Sequence, residues 1–319
     1  MSFRGWAADA ARWTFWVGLR PLIREDRPAR SAVASAALAR GQGALSPRRG
    51  AVMEEELARC FPSLRGRALR DAVREGWSLG AEALVDELLL GRLSEAGVDR
   101  RMRFDGRERL DRALAAGRGA VLVYPHAGAV MLMIARLAGY DYAQVALRGF
   151  PPEERRLTSD LRPTPLNLAA RRARDAAEDA LSVEFLPVEG GARGLLRVLE
   201  RGGLLGVALD GRGGRRFERV AWLGRPANLS TGAVRLAGLA GAPLVPALPL
   251  RDRRGPWRLW IGEPVDPRDP AAQALVLAQL EPLLSAQPAL YGRWLLHCRE
   301  RAAADAHPLF ADYPSPSPR

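Results

Sequence analysis

His126 is the residue in this chain best placed to move a proton. It follows the strand-like run VLVYP and precedes the helix-like run AVMLMIARLAG. An imidazole is the side chain that can take a proton from a neutral nucleophile near neutral pH without help from a metal. The other two histidines, His297 and His307, lie near the C-terminus. The first acid after His126 is Asp141, so any carboxylate partner must come from elsewhere in the fold.

Other chemistries leave weaker marks. GRGGRR at 211–216 and EGGARG at 189–194 are glycine-rich, but neither fits a P-loop or a strand-linked dinucleotide fingerprint. There is no H-E-x-x-H and no cysteine cluster, so no metal is expected. Cys60 and Cys298 stand alone and read as buried small hydrophobes rather than a disulfide framework. The G-x-S-x-G elbow of serine hydrolases is absent, and Ser230 in NLSTG reads equally well as a helix cap. No cofactor is implied.

The elements that must hold His126 follow from periodicity. Residues 1–95 read as helical, with one helix over 50–60 and another from Arg67 carrying Leu69, Val73, Trp77, Ala81, Leu84 and Leu88. AVLVY, YAQVAL, SVEFLPV, LLGVAL, PLVPALPL and RLWIG then read as strands. Helical stretches at 107–116, 128–138, 190–201, 229–240 and 270–286 lie between or after them. This alternation predicts an α/β fold, a central sheet flanked by helices with an N-terminal helical extension. The expected division is a helical region at 1–95, an α/β unit at 96–300 and a proline-rich tail at 301–319 with little need to fold.

The chain has 319 residues, 48 basic against 36 acidic side chains, and a net charge of +12. Such a surface suits anionic partners such as lipid headgroups, phosphorylated substrates or acidic carrier proteins, although arginine-rich composition also follows from a GC-rich genome. No aromatic-basic strand motif or recognition helix points to nucleic acid. The N-terminus has no signal-peptide pattern and no run of 18 apolar residues. Trp6, Trp13 and Trp16, with Arg12, Arg20, Arg24 and Arg27, suit a helix lying along a membrane surface, or one packed on the protein's own core.

Several segments, in order, carry a resemblance. RRGAVMEEELARCFPSL, YPHAGAV, EGGARGLLRVLERGGLLGVALDGRGG, VAWLGRPANLSTGAVRLAGLAGAPLVPALPL and YGRWLLHCRER together resemble the bacterial lysophospholipid-acyltransferase superfamily. The closer likeness is to its lipid A (late, secondary) acyltransferase branch. The resemblance implies a mixed sheet flanked by helices. It also implies transfer of a fatty acyl group from acyl-carrier protein or acyl-coenzyme A to a hydroxyl of a glycolipid or related lipid, at the inner face of the cytoplasmic membrane. His126 would be the general base, with Gly128 beside it.

The family pattern sets an acid five residues after the histidine, and this chain has Met131 there. A thioether neither accepts the imidazole N–H strongly nor balances its charge. Asp210, after LLGVAL, matches a family aspartate region and is the first candidate to replace the acid; Glu189 is the second. Arg148 resembles a family basic position for a phosphate-bearing substrate. Arg215, Arg216, Arg219 and Arg225 form a second basic stretch for carrier phosphopantetheine or an anionic headgroup. Met131 also suits an irregular apolar channel. The alternative is a non-catalytic lipid- or carrier-binding descendant of the same fold.

Overall fold

The five residues of AVLVY are buried at every position, which marks a strand covered on both faces. In the computed structural model, which describes residues 3–146, 164–211, 213–214, 216–252 and 255–313, this run is the middle strand of a seven-stranded sheet. The strands are β1 (Met102–Asp105), β2 (Ala120–Tyr124), β3 (Tyr142–Ala146), β4 (Glu184–Pro187), β5 (Leu204–Ala208), β6 (Phe217–Trp222), β7 (Arg225–Ser230), β8 (Leu244–Arg251) and β9 (Trp257–Ile261). The large sheet has the order β1-β9-β8-β2-β5-β3-β4. Its pairings are parallel except that of β8 with β9, so the sheet is mixed. The sequence had marked six of its seven strands. It had not separated β1, whose four residues are too short to show a period.

Strands β6 and β7 form a separate antiparallel hairpin. Its tip needs positive φ at both Leu223 (51°) and Gly224 (72°), the geometry of a two-residue turn that follows the strand twist. Arg219 and Arg225 of the expected second basic stretch fall in these two strands. The alternation in FERVAW is too polar to have read as a strand.

The helices before the sheet are α1 (Phe3–Trp13), α2 (Pro28–Leu45), α3 (Pro47–Cys60), α4 (Gly66–Glu87) and α5 (Glu95–Arg101). Those that follow are α6 (Arg107–Ala115), α7 (Val130–Leu137), α8 (Pro165–Asp179), α9 (Ala192–Glu200), α10 (Gly232–Ala240), α11 (Ala272–Ala286) and α12 (Ala289–Arg301). One continuous core joins Met53, Leu57 and Trp77 of the lead-in helices to β2, β8, α11 and α12. α4 packs against α12 and α7, so the lead-in helices form part of the wall around the sheet's end.

Two expectations for the chain ends change. Trp16 is buried and joins Ile23 and Leu88–Leu90 in a second apolar cluster. Arg20 turns inward to the carbonyls of Leu88, Leu90 and Ala173, and Arg12 pairs with Asp9. Of the N-terminal aromatics, Trp6 and Trp13 stay exposed. The C-terminal segment up to Tyr313 also packs. Phe310 is fully buried and bridges Ala227 of β7, and His307 stacks on Phe217 with centroids 4.5 Å apart. Leu309 and Phe310 supply enough apolar surface to hold this segment despite its prolines.

Below the hairpin, Arg225 lies buried between Glu56 (2.6 Å) and Asp312 (2.8 Å), with its guanidinium 3.8 Å from the Phe310 ring. Glu56 is itself fully buried, and with Arg59 and Arg299 only at 3.6 and 3.5 Å, loss of Arg225 removes its hydrogen-bonded cation at a site away from water. Arg225→Ala is expected to lower unfolding free energy by about 3–5 kcal/mol. The Glu56→Leu/Arg225→Met pair should recover most of that loss. Urea melts of both variants, and of the milder Asp312→Ala, check this order.

Candidate active site

The register of two neighbouring parallel strands brings the site together. Tyr124 of β2 stands opposite Ala208 of β5. The Leu209 N–H donates to the Tyr124 carbonyl at 2.9 Å and carries the ladder one step past the strand ends. The second residue beyond each strand is His126 on one side and Asp210 on the other. Both emerge at the carboxyl ends of parallel strands, where open α/β sheets leave a crevice.

Asp210 is buried and makes three kinds of contact. Its Oδ1 lies 2.7 Å from His126 Nδ1. The His126 backbone N–H donates to Oδ2 at 3.0 Å and to Oδ1 at 3.2 Å. The Tyr291 hydroxyl donates to Oδ2 at 2.7 Å. A carboxylate only accepts, so the imidazole proton sits on Nδ1 and Nε2 presents a lone pair. Among the described residues none hydrogen-bonds Nε2. Tyr291 is fully buried on α12. Its hydroxyl is held well above the ordinary tyrosine range by burial and by the Asp210 charge, so it stays a donor.

α12 also supplies Trp294, whose ring stacks on the imidazole at 3.8 Å between centroids with 17° between planes. His297 stacks on the far side of the helix contact, 5.0 Å from Trp294. Tyr291, Trp294 and His297 recur every three residues and so share one side of α12. That spacing was visible in YGRWLLH, but nothing in it said which strand end the helix would cover.

His126 opens onto a cavity of about 980 Å³, at the upper end of the volumes that take a small ligand. Its lining is mostly apolar: Leu79, Ala83 and Leu84 from α4, Met131 and Ile134 from α7, and Val207 from β5. Gly128 lines it with φ of +64°, and a Cβ there would lie 2.8 Å from the Pro249 carbonyl oxygen and 3.0 Å from the Trp257 ring. Glycine is therefore required. The Gly128 N–H itself donates to the Leu290 carbonyl at 3.0 Å, so it is not available to a substrate oxygen.

The other expected site residues fall in different places. Met131 lies in the cavity wall, and the carboxylate in contact with the imidazole is that of Asp210. Glu189 belongs to the turn after β4, three strand positions from β2 or about 14 Å of sheet; its side chain falls outside the described residues. Arg148 and Arg215 also lie outside the described residues. Arg216 and Arg219 are exposed on the hairpin and are not among the described residues lining the cavity. Arg225 is corrected: it is a buried scaffold residue tied to Glu56 and Asp312, with no face free for a ligand. Among the described residues, the arginines that line the cavity are Arg174, Arg235 and Arg293, none of them singled out by sequence. Among the described residues no group of three or more His, Cys, Asp or Glu side chains is placed to hold a metal.

The model of a family described as bacterial lipid A biosynthesis acyltransferase matches residues 11–295. Comparison with curated proteins gives no match.

Tyr291→Phe keeps the ring and removes only the hydroxyl that donates to Asp210. A hydrogen bond to a charged group contributes about 1.5–3 kcal/mol. Denaturant titration should show a loss of that size, with the slope unchanged.

Proposed function

The chain belongs to the bacterial lipid A biosynthesis acyltransferase family, and from that premise we propose that His126 is the general base of its acyl transfer, with Asp210 as the acid partner. The substrate pair is a fatty acyl thioester, on acyl-carrier protein or coenzyme A, and a hydroxyl of a glycolipid or related lipid. The observation that carries this reading is the 2.7 Å contact of His126 Nδ1 with Asp210 beside an apolar cavity.

The chemistry follows from the geometry. The acceptor hydroxyl gives its proton to Nε2 while its oxygen attacks the thioester carbonyl. Asp210 holds the ring orientation and balances the imidazolium that forms. Trp294 covers one face of that ring, where its π-system favours the cation. The carbon–sulfur bond then breaks, and the imidazolium returns its proton to the departing thiolate. The Gly128 N–H is already occupied; the N–H groups in the first turn of α7, which have no acceptor within the helix, are the oxyanion donors in this scheme.

Met131 makes sense in this scheme. With Asp210 at Nδ1, a carboxylate at 131 is not needed for the proton transfer, and its methionine extends the apolar wall. The expected site is a membrane surface. Among the described residues no helix is long and apolar enough to cross a membrane. The exposed Trp6 and Trp13 and the net charge of +12 support peripheral association with anionic lipid at the inner face of the cytoplasmic membrane.

Purified protein with a panel of acyl thioesters and lipid acceptors tests the chemistry. His126→Ala should abolish transfer with the fold retained. Asp210→Asn should lower turnover by about 10⁴, as for the orienting aspartate of a serine protease. Equal turnover in His126→Ala removes the proposed base, whereas lipid binding without transfer by the wild type leaves the non-catalytic alternative. For the membrane reading, co-sedimentation should be strong with vesicles containing anionic lipid, weak with neutral ones, and reduced in Trp6→Ala/Trp13→Ala.

A further inference from the structure

The face of α4 that lines the cavity changes character along its length. Leu79 and Gly80, then Ala83 and Leu84, then Glu87 fall at successive turns of one helical stripe. Two turns are apolar or bare, and the third ends in a carboxyl. Gly80 packs against the Arg293 side chain, next in sequence to the Trp294 that covers His126. Glu87 is seven residues further on, a rise of about 10 Å along the helix.

Two further charged residues line the cavity from α8. Arg174 and Glu178 pair at 2.9 Å, and both act electrostatically on Glu87. Among the described residues none hydrogen-bonds the Glu87 carboxyl. Burial pushes its pKa up, against the pull of Arg174 and Arg293. Burial alone would lower Arg174, but Glu87 and Glu178 more than reverse this. The cavity thus holds a set of charged groups away from the imidazole, reached past Ala83, Leu84, Met131 and Ile134.

We propose that Glu87, with the Arg174–Glu178 pair, forms a polar end wall that limits the length of the apolar chain the cavity accepts. The proposal rests on reading the cavity as the site of a fatty acyl chain. Along the apolar stretch each added methylene strengthens binding about fourfold. A methylene pressed onto the charged groups gains nothing and strips them of water, which costs binding. Affinity therefore climbs with chain length, breaks at the wall, and then stays level or falls.

The test uses the full chain and alkyl thioether analogues of pantetheine of graded length, which cannot transfer an acyl group. Calorimetry on wild type should show the break. Glu87→Leu keeps side-chain bulk but removes the charge, and should move the break to longer chains with the fourfold steps continuing. Glu87→Gln keeps a polar group and should leave the break in place. An unmoved break in Glu87→Leu overturns the wall, as does failure of the wild type to bind any analogue. Should Glu87→Leu not fold, Glu87→Ala carries the same expectation. Transfer is assayed separately with matched thioesters. A break that moves without transfer by wild type keeps the wall and removes the transferase reading, whereas transfer with an unmoved break does the reverse.

Discussion

The parallel pairing of β2 with β5 is the constraint on which the site depends. Once Tyr124 faces Ala208, two residues of extension on each strand place an imidazole against a carboxylate. A slip of one residue would turn the side chains of one strand to the opposite face. The register is held by full burial of β2 and of the first three residues of β5. The same pairing explains how the chain manages without an acid one helical turn after its histidine. The partner comes across the sheet rather than along the chain, and the two groups are bound by backbone as well as side chain, since the His126 N–H also reaches Asp210.

Arginine does much of the structural work around that centre. Arg20 collects carbonyls at the end of α4, Arg225 links α3 to the hairpin and the C-terminal segment, and Arg201 bridges Asp141 and Glu184 between strands β3 and β4. A planar guanidinium with five donors suits such multiple contacts. The positive charge of the sequence is thus divided between scaffold and surface, and surface arginines such as Arg49, paired with Glu300, also have partners.

The alternation of apolar runs was legible because strands buried on both faces are written in continuous apolar letters. His126 and Asp210 stood out because each ends such a run. Their adjacency was expected only through the family resemblance, since strand order within a sheet leaves no local trace. The role of Arg225 was hidden for the same reason: Glu56 and Asp312, 169 and 87 residues away, could not be read as its partners. The hairpin escaped notice because its first strand carries the exposed Glu218 and Arg219 in succession, and its second is covered by a segment that looked like a tail. Glu87 lies in the helical lead-in, and its place on the cavity comes from the packing of α4 beside α7, which sequence periodicity does not show.

The contributions of α12 and the C-terminal segment come late in the chain. The seven strands of the main sheet are complete by Ile261, yet Tyr291 and Trp294 follow them, and Phe310 and Asp312, which brace the hairpin beside the cavity, come later still. Synthesis proceeds from the N-terminus, and its pace leaves time for early elements to form before late ones emerge. A ribosome-bound chain that has not yet released α12 therefore lacks part of the continuous core, the Tyr291 donor to Asp210 and the ring that covers the imidazole. Competence arrives only with the last stretch of translation, and a prematurely terminated product would keep the greasy opening without the parts that close it.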